Sequence, residues 1–174
     1  MEPTRISAIR HGETAWNVDT RLQGHLDIPL NEVGLRQAQH LAQTLVKRET
    51  IDAIYASDLS RAHSTAQAIA QAMGQTVTVH AGLRERHFGA FQGRTYAQIE
   101  TELPEHAWHW RKRTPDWAPP GGGESLTVLR ERVIQTVEAL AAAHAGQHIV
   151  MVAHGGVLDI LYRAAARLDL QAPR

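Results

Sequence analysis

Apolar positions along this chain follow two rhythms that alternate. Ile6, Ala8 and Ile9 mark a short strand over residues 4–10, which ends at His11-Gly12. A polar loop through Asn17, Gly24 and Pro29 follows, and Leu30-Asn31 reads as an apolar residue beside a helix N-cap. Leu35, Ala38, Leu41, Ala42 and Leu45 then recur at helical spacing. Residues 51–56 predict a second strand, and Ser57 or Asp58 is placed to cap an Ala-rich helix running to about Met73. Gly74 is the expected stop of that helix, and residues 77–79 give a third strand.

The middle is less regular. Residues 84–93 hold charged side chains, two Phe and two Gly, which predicts a loop, and residues 96–112 predict a helix containing Trp108 and Trp110. Pro115, Pro119, Pro120 and Gly121-Gly122-Gly123 break the chain. Beyond Glu124-Ser125, the residues Leu126, Leu129, Val133, Val137 and Leu140 form the stripe of a long helix. Residues 149–153 are apolar almost throughout, as in a strand buried on both faces, and a helix follows from about Val157. Strands alternating with helices predict an α/β fold on a mostly parallel sheet. No repeat or linker divides the chain, so residues 1–174 are expected to form one domain.

Composition narrows the chemistry. Eighteen basic residues balance 18 acidic ones, which leaves no global field to gather nucleic acid. No apolar run is long enough for a membrane span, and the first residues do not read as a basic, apolar leader, so the expected location is cytoplasmic. With no cysteine, thiolate nucleophiles, disulfides and zinc–thiolate sites are excluded. Lys47 and Lys112 are the only lysines beside 16 arginines, and there are 11 histidines. Position decides which of these carry chemistry.

Two histidines stand at strand ends: His11 in Arg10-His11-Gly12-Glu13-Thr14, and His154 in Ala153-His154-Gly155-Gly156. Ligands of open parallel sheets bind outside the carboxyl ends of the strands, and the glycine after each histidine permits close backbone approach. A neutral imidazole can attack phosphorus and split one displacement into two easier ones. Phosphoryl transfer then needs neutralisation of the equatorial oxygens, which arginines and a second imidazole can supply without a metal. Arg10 and Arg61 are the candidate arginines. A leaving alcohol needs a proton, for which Glu13 and Glu85 are both placed. His106 and His109 lie three residues apart on one helix, but no third ligand accompanies them, so a solvated face is expected there and no metal. Trp108 and Trp110 read as core or pocket wall.

The run at residues 10–14, with Asn17 and Gln23-Gly24 after it, resembles the opening signature of the histidine phosphatase superfamily, the phosphoglycerate mutase-like enzymes. The resemblance continues through Ser57-Asp58-Leu59-Ser60-Arg61-Ala62, Leu83-Arg84-Glu85, residues 121–126 and Ala153-His154-Gly155-Gly156. It implies a three-layer α/β/α fold and needs no cofactor. It also implies that His11 is the nucleophile and that Arg10, Asn17, Arg61 and His154 hold the phosphoryl group. Glu85 would then be the acid and base, with Gln23 and Gly24 on the substrate side.

The compact route from Gly93 to Gly121 resembles the phosphatase branch, so hydrolysis of a small phosphorylated metabolite is expected. A phosphoglycerate mutase-type transfer is the alternative, favoured by Glu85-Arg86-His87-Phe88-Gly89, and an inactive phospholigand-binding module is a second one. Relatives of this kind usually continue through further strand structure after the last helix. An edge left uncovered would invite pairing with a second copy, so a homodimer is also an expectation.

Overall fold

A computed structural model describes residues 2–173. The order is β1 (Arg5–Arg10), α1 (Ala15–Val18), α2 (Glu32–Arg48), β2 (Ala53–Ala56), α3 (Ser60–Met73), β3 (Val77–Val79), α4 (Tyr96–Glu102), α5 (Pro104–Arg111), α6 (Leu126–Ala143), β4 (His148–Ala153) and α7 (Gly155–Ala165). Single 3-10 turns lie at Ala81–Leu83 and Gly89–Phe91. The strands pair in the order β1-β4-β2-β3, and every pair is parallel.

All six residues of β4 are buried, because it has neighbours on both sides and helices on both faces. Successive side chains alternate between two cores. Ile149, Met151 and Ala153 join Leu126, Leu129 and Val133 of α6 and Val157 and Ile160 of α7. Val150 and Val152 join Ala42 of α2 and Ala62, Ala66, Ile69 and Ala70 of α3. The architecture is therefore three layers, α/β/α. Phe88, Phe91, Ile99 and Ala107 form a third, smaller cluster against Trp110 and Trp117, beneath α4 and α5.

Several local expectations are corrected. Leu59 occupies the N-cap of α3 without a side-chain bond, whereas Asp58 pairs with Arg84. The backbone N–H of Ser60 instead donates to Asp27 Oδ1 at 2.7 Å, a cap supplied from 33 residues away that local pattern cannot reveal. The helix expected over 96–112 is two helices. Pro104 lacks an N–H and cannot continue α4, but it suits the first turn of α5. Trp108 is half exposed, unlike Trp110. Helix α7 starts at Gly155, not Val157. Asn31 does cap α2, accepting from Gly34 N, and Gly74 ends α3 at φ 66°.

Among the described residues, no helix is long and apolar enough to cross a membrane, and no group of three His, Cys, Asp or Glu is placed to hold a metal ion. His109 stacks on Trp117 with an interplanar angle of 8°, and its Nδ1 lies 3.2 Å from Thr114 Oγ1.

Candidate active site

The parallel register of β1 and β4 brings the two strand-end histidines together. Arg10 pairs with Ala153, and His11 N donates to Ala153 O at 3.1 Å. Both chains leave the sheet at this level, and the His11 and His154 rings lie 5.2 Å apart. The loop after His11 packs closely on α2. A Cβ on Gly12 would stand 2.6 Å from Gly34 O, so side chains are excluded at that contact.

His11 Nδ1 lies 2.6 Å from the Gly12 carbonyl, which can only accept, so the ring proton sits on Nδ1 and Nε2 keeps its lone pair. Burial lowers the His11 pKa to about 4, against the Gly12 bond and with help from Arg61 and Arg10. The ring is therefore neutral near pH 7. His154 is wholly buried, and neither ring nitrogen has a hydrogen-bond partner among the described residues. Burial, then the charge of Arg61, holds its pKa well below the ordinary histidine value.

Arg61 is buried on the first turn of α3. Nη1 donates to Leu26 O at 2.9 Å and Nη2 to Gly24 O at 2.8 Å, while Nε has no hydrogen-bond partner among the described residues. The Arg10 side chain makes no hydrogen bond within the described residues, and its guanidinium passes Gly155, where an added Cβ would lie 3.8 Å from Nε. Such a Cβ would also stand 4.0 Å from Glu85 Oε2, so Arg10 and Glu85 flank the same glycine. Glu85 accepts from Arg86 N at 2.7 Å and from Gly156 N at 3.0 Å. Burial raises its pKa, opposed by those two N–H groups and by Arg61 and Arg10.

Glu13 takes a different part: Oε1 accepts from Asn31 Nδ2 at 2.8 Å, and its backbone N–H donates to Gln37, so it fastens the loop to α2. Asn17 lines a cavity of about 280 Å3 with Arg10, His11, Gly12, Glu13 and Gln37. Its Oδ1 accepts from Thr14 N at 2.9 Å, which turns its amide nitrogen outward, without a hydrogen-bond partner among the described residues. Gln23 and Gly24 line neither this cavity nor the next. Gln23 Oε1 lies 3.0 Å from Thr14 Oγ1, and Gly24 lends its carbonyl to Arg61.

Thr65, Gln37 and Arg86 are residues that sequence reasoning did not pick. Thr65 Oγ1 accepts from Gly12 N at 3.1 Å and donates to Arg61 O at 2.8 Å. Its spacing of one helical turn from Arg61 was a usable signal, whereas Gln37 offered none. Arg86 lines a second cavity, of about 430 Å3, which reaches Gly156 beside Glu85 and is walled by Phe88, Trp110 and Trp117.

The model of the histidine phosphatase superfamily (branch 1) matches residues 6–174. The chain belongs to that superfamily. A phosphoglycerate mutase-like protein 4 of Arabidopsis thaliana is 43% identical over 166 residues, 95% of this chain and 72% of the relative. A metal-independent phosphoserine phosphatase of the same plant is 40% identical, over 92% of this chain and 68% of its own. The solved structure of a mycobacterial glucosyl-3-phosphoglycerate phosphatase with VO3 superposes at a TM-score of 0.84 with 38% identity, covering 94% of this chain and 81% of that one. As a superfamily member, this chain has the α/β/α fold and the strand-end histidines described above.

Proposed function

We propose that the protein is a metal-independent phosphomonoester hydrolase acting through a phosphohistidine on a small phosphorylated metabolite. The observation that carries this reading is His11: a neutral imidazole with its proton fixed on Nδ1 and a free Nε2 among Arg10, Arg61 and His154. Nε2 attacks phosphorus, and the bond to the ester oxygen breaks. The raised pKa of Glu85 suits it to hold a proton and give it to the leaving alkoxide. Water then attacks phosphorus, Glu85 takes its proton, and His11 Nε2 recovers the electron pair of the P–N bond. Arg10 and Arg61 neutralise the equatorial oxygens, and the outward amide of Asn17 and the N–H of the neutral His154 ring donate to them.

The 430 Å3 cavity is the place for the alcohol portion. Of the other two arginines there, Arg111 pairs with Glu100, and Arg113 shares Asp159 with Arg163. Arg86 is buried, and among the described residues its side chain bonds to main-chain carbonyls alone, of Glu124 at 2.7 Å and Trp117 at 3.4 Å, with its Cζ 5.2 Å from the Trp110 ring. Burial lowers its pKa to about 10, which leaves it charged. A buried cation that Glu124 and Glu85 stabilise only through space, with no hydrogen bond to a carboxylate among the described residues, supports an acidic alcohol, in keeping with the phosphoserine and phosphoglycerate derivatives in the relatives' names. A cytoplasmic site of action goes with that substrate class.

Quench during turnover into alkaline denaturant, in which the P–N bond survives, should trap phosphate on His11, and none in His11→Ala; a wild type that neither carries the label nor releases phosphate would refute the enzyme reading in favour of a binding module. With 3-phosphoglycerate, free phosphate is the expected product, and isomerised product without it would establish a mutase instead.

A further inference from the structure

The stretch at residues 121–126 takes no part in the chemistry above, yet it meets the loop that carries Glu85. Glu124 N donates to His87 O at 2.8 Å, and His87 N donates back to Glu124 Oε2 at 2.9 Å. Arg132 of α6 closes on the same carboxylate with two bonds of 2.8 Å, from Nε and Nη2. Its remaining N–H groups turn to the backbone of the loop. Nη1 donates to Gly82 O at 2.9 Å and Arg84 O at 3.0 Å, and Nη2 to Glu85 O at 3.3 Å. All five donors of the planar guanidinium are thereby used, three of them on carbonyls around one residue.

A fastener that merely kept this loop folded would be redundant. Leu83 and Phe88 bury both flanks, Arg84 is tied to Asp58 by two bonds, and Ala90 N donates to Pro120 O at 2.7 Å. Arg132 meets the carbonyls of Gly82, Arg84 and Glu85 at once, the last shared with His25 Nε2 at 2.8 Å, and displacement of this backbone would move the carboxyl relative to the leaving oxygen. We propose that Glu124 and Arg132 form a positioning pair that fixes the proton-donating geometry of Glu85. The proposal rests on the phosphatase reading given above.

The test is single-turnover phosphorylation of His11 by an alkyl phosphate and by 4-nitrophenyl phosphate, whose leaving group departs without a proton. It is run on Arg132→Met, Glu124→Gln and the double variant, with thermal unfolding alongside. Because a misplacement of 1 Å can cost about 10²-fold, the alkyl phosphate should slow by roughly 10²-fold and the nitrophenyl ester by less than about fivefold. The double variant should be no slower than the worse single one, and the upper limb of the pH profile should shift. Should Arg132→Met fail to fold, Glu124→Gln, which keeps an acceptor for His87 N, gives the same reading. Equal losses on the two esters, or no loss on either, would overturn the positioning role. A wild-type chain that takes no phosphoryl group from either ester would instead overturn the phosphatase reading.

Discussion

Replacing His11 by asparagine removes a buried imidazole while leaving an amide that can still donate to the Gly12 carbonyl. Burial lowers the pKa of His11 from 6.5 to about 4 in the folded protein. An unfolded chain therefore binds a proton between those values that the native protein refuses. Stability from this group is complete above pH 6.5 and is lost as pH falls towards 4, after which both states are protonated. At about 1.4 kcal/mol per unit, the loss is about 3 kcal/mol. Urea unfolding of wild type and His11→Asn at steps from about pH 7.5 down to 4 measures it. Buffers without phosphate or sulfate are needed, since an anion in the site would favour the protonated ring. His154, held down mainly by its own burial, contributes to both curves and largely subtracts. The wild-type curve should fall below that of the variant as the pH drops. Parallel curves would show that His11 titrates as an exposed histidine does, and the neutral nucleophile would go with that.

Other outcomes follow from single contacts. In Gly156→Ala the new Cβ would stand 2.1 Å from Glu85 Oε1, so kcat for alkyl phosphates should drop about 10- to 100-fold, with a smaller loss for nitrophenyl phosphate. Arg86→Met should erase a preference for phosphoserine over phosphoethanolamine in kcat/KM, of the order of 10-fold or more for one charged bond; an undiminished preference would place the carboxylate elsewhere. Asn31→Ala removes the cap of α2 and a partner of Glu13, and should cost about 1 kcal/mol in urea unfolding. Phe91→Ala, in a wholly buried position between Trp110 and Trp117, should cost about 3–5 kcal/mol by the same measurement.

What the chain discloses before it is folded depends on the range of the interaction. The β4 segment was legible because a run buried on both faces has to be apolar throughout, and the strand-end histidines because each lies where its strand stops. Gly74 and Asn31 act within a few residues of themselves and were legible for that reason. The cap of α3 by Asp27 joins distant segments, and so does the Arg132 contact with Glu85; neither leaves a periodic trace. Pro104 was visible in the sequence, but its division of α4 from α5 was lost beneath a pattern of tryptophans that suited one helix. The choice between Glu13 and Glu85 could not be made from spacing. Asn31 and Gln37 hold Glu13 in its loop, and that hold is a tertiary fact.

The neighbouring places of β1 and β4 in the sheet also bear on how the molecule comes to be competent. The two histidines are contributed by opposite ends of the chain, so the site cannot exist in any fragment that lacks either strand. Helix α2 against α3, and β2 against β3, can form from segments close in sequence. The β1–β4 ladder requires closure of nearly the entire polypeptide, the kind of contact that forms late because its loop entropy is largest. Capacity to accept a phosphoryl group should therefore return in the slowest refolding phase, after most helical signal has recovered. Phosphorylation of His11 would then report the closure of the whole domain.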